Sequence, residues 1–63
     1  MKIKIFEPTN EYYRTELIKD IEEAIRNPPD GYFFQEIQYA YSRENNSDYH
    51  GAMILYGELP NVS

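Results

Sequence analysis

Tyr49-His50-Gly51-Ala52-Met53-Ile54-Leu55-Tyr56-Gly57 is apolar at nearly every position, and the fold follows from where such a run can be placed. As a strand it points Gly51, Met53 and Leu55 to one side and Ala52, Ile54 and Tyr56 to the other, because successive side chains alternate across a sheet. A strand apolar on both sides needs cover on both. It therefore belongs at the centre of a sheet.

Working upstream, Tyr32 to Ser42 reads as a partner strand with Phe33, Ile37, Tyr39 and Tyr41 on one side. Phe34, Glu36, Gln38, Ala40 and Ser42 make its other side mostly polar. Arg43-Glu44-Asn45-Asn46-Ser47-Asp48 is turn chemistry, so the two strands form an antiparallel hairpin. Tyr41 then faces either Tyr49 or His50, and that one-residue choice reverses the sides of the last strand. Lys2-Ile3-Lys4-Ile5-Phe6 alternates strictly and reads as an edge strand whose lysines discourage stray pairing. Pro8 ends it, and Thr9 or Asn10 can cap the helix that follows.

That helix is predicted from about Glu11 to Arg26. Tyr13, Leu17, Ile21, Ala24 and Ile25 form its apolar stripe, Ile18 flanks it, and Glu16, Lys19, Asp20, Glu22, Glu23 and Arg26 face outward. Asn27-Pro28-Pro29-Asp30-Gly31 stops it. The expected fold is α+β, a single domain over residues 1–63 in the order β-α-β-β, with one helix on a three-stranded antiparallel sheet ordered 1-3-2. One helix covers one side of that sheet. A sister subunit is expected to bury the other, through Ala52, Ile54 and Tyr56.

Size and composition narrow the function. A chain of 63 residues buries only about 60% of its unfolded surface, and without cysteines it has neither disulfides nor thiolate metal ligands to support it. Oligomerisation is the remaining common support. Eleven acidic against six basic residues give a net charge of -5, which repels a phosphate backbone, so general nucleic-acid binding is not expected. No run is long enough to span a membrane and Met1–Phe6 is too short and β-like for a signal peptide, so a cytoplasmic protein without membrane association is expected. The sequons at Asn45 and Asn61 then carry no meaning.

Lys4-Ile5-Phe6-Glu7, Ile37-Gln38-Tyr39 and Ala52-Met53-Ile54-Leu55-Tyr56 together resemble the small sporulation proteins of the Cse-sixty family, found in Bacillus and its phages. Members of that family run as a K-hydrophobe-F-acid strand, an acidic helix, an I-K-Y strand and a final S-A-M-hydrophobe-hydrophobe-Y strand. Gly51 stands here where that pattern tends to have Ser, and Tyr12-Tyr13 and Pro28-Pro29 depart from its connections. The resemblance implies a Bacillus-type host or a phage of one. It implies no enzyme activity and no binding residues.

No catalytic signature is present. His50 is the only histidine and has no cysteine with which to build a common zinc set, so neither metal nor cofactor is expected. Ser42 or Ser47 with His50 and Asp48 resembles a triad only in composition, being confined to one hairpin. Tyr39, Tyr41, Arg43, Tyr49 and His50 gather at the hairpin mouth and match what a nucleotide-like small molecule would use: aromatic faces, a cationic fork and ring nitrogens. Packing pairs across the strands or a subunit contact would also place tyrosines there. Tyr12, Tyr13 and Arg14 open the helix, whose first amides could hold an anion, although Glu7 and Glu11 lie close.

The expected function is a non-enzymatic, homo-oligomeric binding protein with its pocket between subunits. A phage-type anti-defence protein that sequesters a nucleotide-derived signal is one concrete form. The alternative is an acidic inhibitor of a protein target, acting through Glu16, Asp20, Glu22 and Glu23, or a sporulation-associated regulator without a small-molecule ligand.

Overall fold

The computed structural model describes residues 1–60. Strand β1 (Lys2–Asn10) leads through a 3-10 turn, Glu11–Tyr13, into helix α1 (Arg14–Arg26), followed by β2 (Tyr32–Glu44) and β3 (Ser47–Glu58). The sheet has the order β1-β3-β2 with both pairings antiparallel. The most apolar strand is thus central, where its two greasy sides require it to be.

Each connection has a local cause. Asn10 accepts a hydrogen bond from the Tyr12 N–H at 2.9 Å and starts the helical turn. Pro28 and Pro29 end the helix, and a turn closed by the Tyr32 N–H donating to the Pro29 carbonyl at 3.0 Å follows. Gly31 occupies the left-handed position of that turn at φ 83°. The β2–β3 hairpin is tighter than its polar composition suggests: only Asn45 and Asn46 separate the strands, with φ 50° and 63°, the paired positive values of the turn whose twist matches a hairpin.

The core lies between α1 and one side of β3. Leu17, Ile21 and Ala24, spaced by four and three along the helix, pack on Ala52, Ile54 and Tyr56. Phe6, Ile25, Tyr32, Phe34 and Ile37 surround them. Inside this core the Tyr56 hydroxyl donates to the Ala24 carbonyl at 2.8 Å. Tyr13 leaves the predicted stripe because it belongs to the 3-10 turn, and it is exposed.

Two expectations about sides are corrected. Ala52, Ile54 and Tyr56 do not face a sister subunit; they are buried beneath α1 of their own chain. The side left without a helix carries Ile3 and Ile5 of β1 in register with Leu55 and Met53 of β3. In β2, a bulge between Phe34 and Glu36 exchanges the two phenylalanines. Phe34 pairs with Tyr56 on the helix side together with Ile37, Tyr39 and Tyr41, and Phe33 pairs with Gly57 on the open side.

A second irregularity, between Phe6 and Thr9, lets β1 pass Pro8 and continue to Asn10 instead of ending. Gly51 makes room for it, since a Cβ there would stand 3.1 Å from the Phe6 carbonyl oxygen and 3.3 Å from the Pro8 nitrogen. Among the described residues no helix is long and apolar enough to cross a membrane.

Candidate functional site

The helix is shorter than the sheet it covers. Thirteen residues of α1 rise about 20 Å, whereas the thirteen of β2 extend about 43 Å. Helix α1 therefore does not reach the hairpin end of that side, where only the 3-10 turn approaches the sheet. Tyr39, Tyr41 and Arg43 stand there on β2 opposite Ala52, His50 and Asp48 of β3.

Register, left open by sequence, puts Tyr41 across from His50. The two rings lie 5.3 Å apart between centroids at 51°, and Tyr39, two residues back along the same strand, lies 6.3 Å from the imidazole at 62°. Both tyrosines are open to solvent, Tyr39 at 49% and Tyr41 at 60%, while His50 retains only 7% of its surface. A buried imidazole thus floors a platform of two exposed phenols. Among the described residues its Nε2 has no hydrogen-bond partner, and neither has the Oγ1 of Thr9, which faces His50 from β1.

The polar rim is organised by Asp48. Its Oδ1 accepts from the Tyr41 hydroxyl at 2.6 Å, and the Arg43 Nε lies 4.0 Å from the same oxygen. The Tyr41 hydrogen bond holds the Asp48 carboxyl below its ordinary range against the opposing effect of partial desolvation, with Glu11, Arg43 and His50 adding in the same direction. The same bond, with desolvation and the Asp48 charge, pushes the Tyr41 hydroxyl above its usual value. Glu11 comes from the 3-10 turn, which folds over this end of the sheet.

Four of the five predicted ligand-binding residues, Tyr39, Tyr41, Arg43 and His50, are brought to one side. Tyr49 is not. It pairs with Ser42 and Asn10 on the open side, because the register that sets His50 against Tyr41 turns its neighbour away. Ser42 and Ser47 fall on that open side too, so neither serine hydroxyl meets His50 and Asp48 in a relay. Tyr12 and Tyr13 lean together at 6.3 Å at the helix start, where the Asn10 side chain already takes the Tyr12 amide.

Glu11 and Thr9 were not foreseen as neighbours of the site. Their approach depends on the β1 bulge and the 3-10 turn, which alternation does not encode. Asp48 was legible as the same-side neighbour of His50, two residues away on a strand. Among the described residues no cluster of three or more His, Cys, Asp or Glu side chains is placed to hold a metal ion.

No family model matches the chain, and no curated protein or solved structure does either. The resemblance to the Cse-sixty proteins therefore rests on the three quoted segments alone.

Proposed function

We propose that the chain is a non-enzymatic, homo-oligomeric binding protein that sequesters a planar, nucleotide-like molecule on the Tyr39–Tyr41 platform. One observation carries the reading: two exposed phenol rings lie beside a buried histidine whose Nε2 lacks a hydrogen-bond partner among the described residues. Stacking on an aromatic side chain contributes about 1–3 kcal/mol per base and tolerates different bases. Arg43 provides the complement to an anionic group, since its 4.0 Å approach to Asp48 is loose and a phosphate can engage the guanidinium with two parallel hydrogen bonds. Asp48, kept ionised by Tyr41, is an acceptor for an amino group or a sugar hydroxyl.

Capture of this kind needs affinity and abundance and no reacting group. The Cse-sixty resemblance supports a cytoplasmic role in a Bacillus-type host or its phage, and phage capture of a nucleotide-derived defence signal is the concrete version. With Ala52, Ile54 and Tyr56 inside the core, the platform is complete within one chain and does not depend on a pocket between subunits.

Adding nucleoside monophosphates, cyclic nucleotides and dinucleotides to purified protein should raise its Tm with at least one of them, because a ligand that binds only the folded state stabilises it by mass action. Tyr41→Ala and Arg43→Ala should each remove the shift. The absence of any shift across the panel overturns the reading.

The acidic-inhibitor alternative has its own observation. A groove of about 200 Å³ between β1 and α1 sets Glu7, Glu16 and Asp20 around Phe6, Tyr13 and Leu17, which suits a basic side chain of a target protein. Reversing the charge of Glu16 and Asp20 should abolish inhibition under that reading and leave nucleotide binding intact.

A further inference from the structure

We infer that the open side of the sheet is the contact between two copies of this chain, packed face to face about a two-fold axis that crosses the strands near Met53. This deepens the homo-oligomeric part of the proposal above and is independent of its ligand.

Ile3 and Ile5 lie on that side at 49% and 65% exposure, in register with the half-buried Leu55 and Met53, and Phe33 extends the apolar surface over Gly57. The helix covers the opposite side only. Among the described residues no helix covers this side.

Both sheet edges carry an irregularity: the β1 edge is broken between Phe6 and Thr9 by a bulge containing Pro8, which has no N–H to donate, and the β2 edge is broken between Phe34 and Glu36.

Charge does not bar a like copy. Each chain carries -5, yet only Glu36 and Glu44 among the charged residues occupy paired positions on the open side. Lys2, Lys4, Arg43, Asp48 and Glu58 all point to the helix side. Two copies therefore meet through this face with only those two carboxylates from each at the contact.

Shape makes the face complementary to itself. Ile3, Leu55 and Phe33 stand toward one end, while toward the other Ile5, Pro8, Gln38, Ala40, Gly51 and Met53 line a groove of about 330 Å³. A two-fold axis across the strands reverses one copy end for end, so those three side chains lie over the partner's groove. A face about 40 Å long and three strands wide, at about 4.8 Å per strand, gives two copies roughly 1,000–1,500 Å² of buried surface, at the lower end of specific pairing.

Sedimentation velocity of the wild-type chain should show a concentration-dependent species of twice the 7.5 kDa monomer mass. Ile5→Glu and Leu55→Glu should sediment as monomers while circular dichroism keeps the wild-type helix and sheet signal. Because the chain has no cysteine of its own, Met53→Cys should give a disulfide-linked dimer under air, and Glu22→Cys on the far side of the helix should not. A wild-type monomer at every soluble concentration, or equal cross-linking at both positions, overturns the inference. Tm shifts with nucleotide, measured on the Ile5→Glu monomer, separate the two readings: a shift without a wild-type dimer sinks only this one, and a dimer without a shift sinks only the ligand.

Discussion

Tyr41 and Asp48 are, among the described residues, the two groups whose titration the fold alters. The Tyr41 hydroxyl donates to Asp48 at 2.6 Å, which lowers the carboxyl below its ordinary 3.8 and raises the phenol above 10.0. The folded state thus binds the Asp48 proton less tightly than the unfolded chain does. That contribution to stability is complete above the ordinary carboxylate value and is lost as pH falls through the lowered one. For Tyr41 the folded state holds its proton more tightly, so the contribution is complete below pH 10.0 and is lost as pH rises through the raised value. Tyr41→Phe removes the shared hydrogen bond. In Tm measured from acid to alkaline pH, the advantage of the wild type over the variant should be greatest across the neutral range and shrink at both extremes. A gap that stays constant would mean the bond leaves both titrations unchanged.

At the level of elements, β2 shows where sequence reasoning reaches and where it stops. The β-α-β-β order and the 1-3-2 sheet were legible because proline, Asp-Gly and Asn-Asn punctuate the chain between runs of clear periodicity. The side taken by α1 was not, since Gly51-Met53-Leu55 and Ala52-Ile54-Tyr56 are both apolar and alternation alone does not choose between them. Crossover handedness makes that choice, and it belongs to the folded chain. Strict alternation likewise grouped Phe33 with Ile37, whereas the extra residue at the bulge moves Phe34 into that role. The hairpin turn fixes register from the other end, so sites along β2 should differ sharply in their tolerance of deletion. Removing Gln35 regularises the ladder with every side chain on its present side, and the unfolding free energy from urea titration should change by no more than about 1 kcal/mol. Removing Gln38 turns Ile37 out of the core and Glu36 into it even where the bulge absorbs the deletion, a loss of about 3 kcal/mol or more, and in a domain this small it should abolish the cooperative transition. Similar midpoints for the two deletions would show that the turn does not set the register.

At the level of the whole molecule, the chain is a slab of 54 × 17 × 12 Å with its charge concentrated on one broad side. The helix side bears the acidic surface, and Lys2 and Lys4 lie there over the rings of Tyr32 and Phe6. The other side carries the apolar group Ile3, Ile5, Phe33, Met53 and Leu55, with Glu36 and Glu44 as the charged residues at its paired positions. Two contacts between copies are therefore conceivable, apolar side to apolar side or acidic helix to lysines, and salt distinguishes them. In the first, attraction comes from apolar burial while the net charge of -5 on each copy opposes approach from beyond the contact; screening weakens only the opposition. In the second, the attraction itself is between exposed charges and is screened away. Raising sodium chloride from about 20 mM to about 500 mM, which shortens the screening length from about 20 Å to about 4 Å, should tighten the dimer, with the dissociation constant from sedimentation falling severalfold. Dissociation into monomers over that range would place the contact on the charged side and leave Ile3, Ile5, Met53 and Leu55 without a partner.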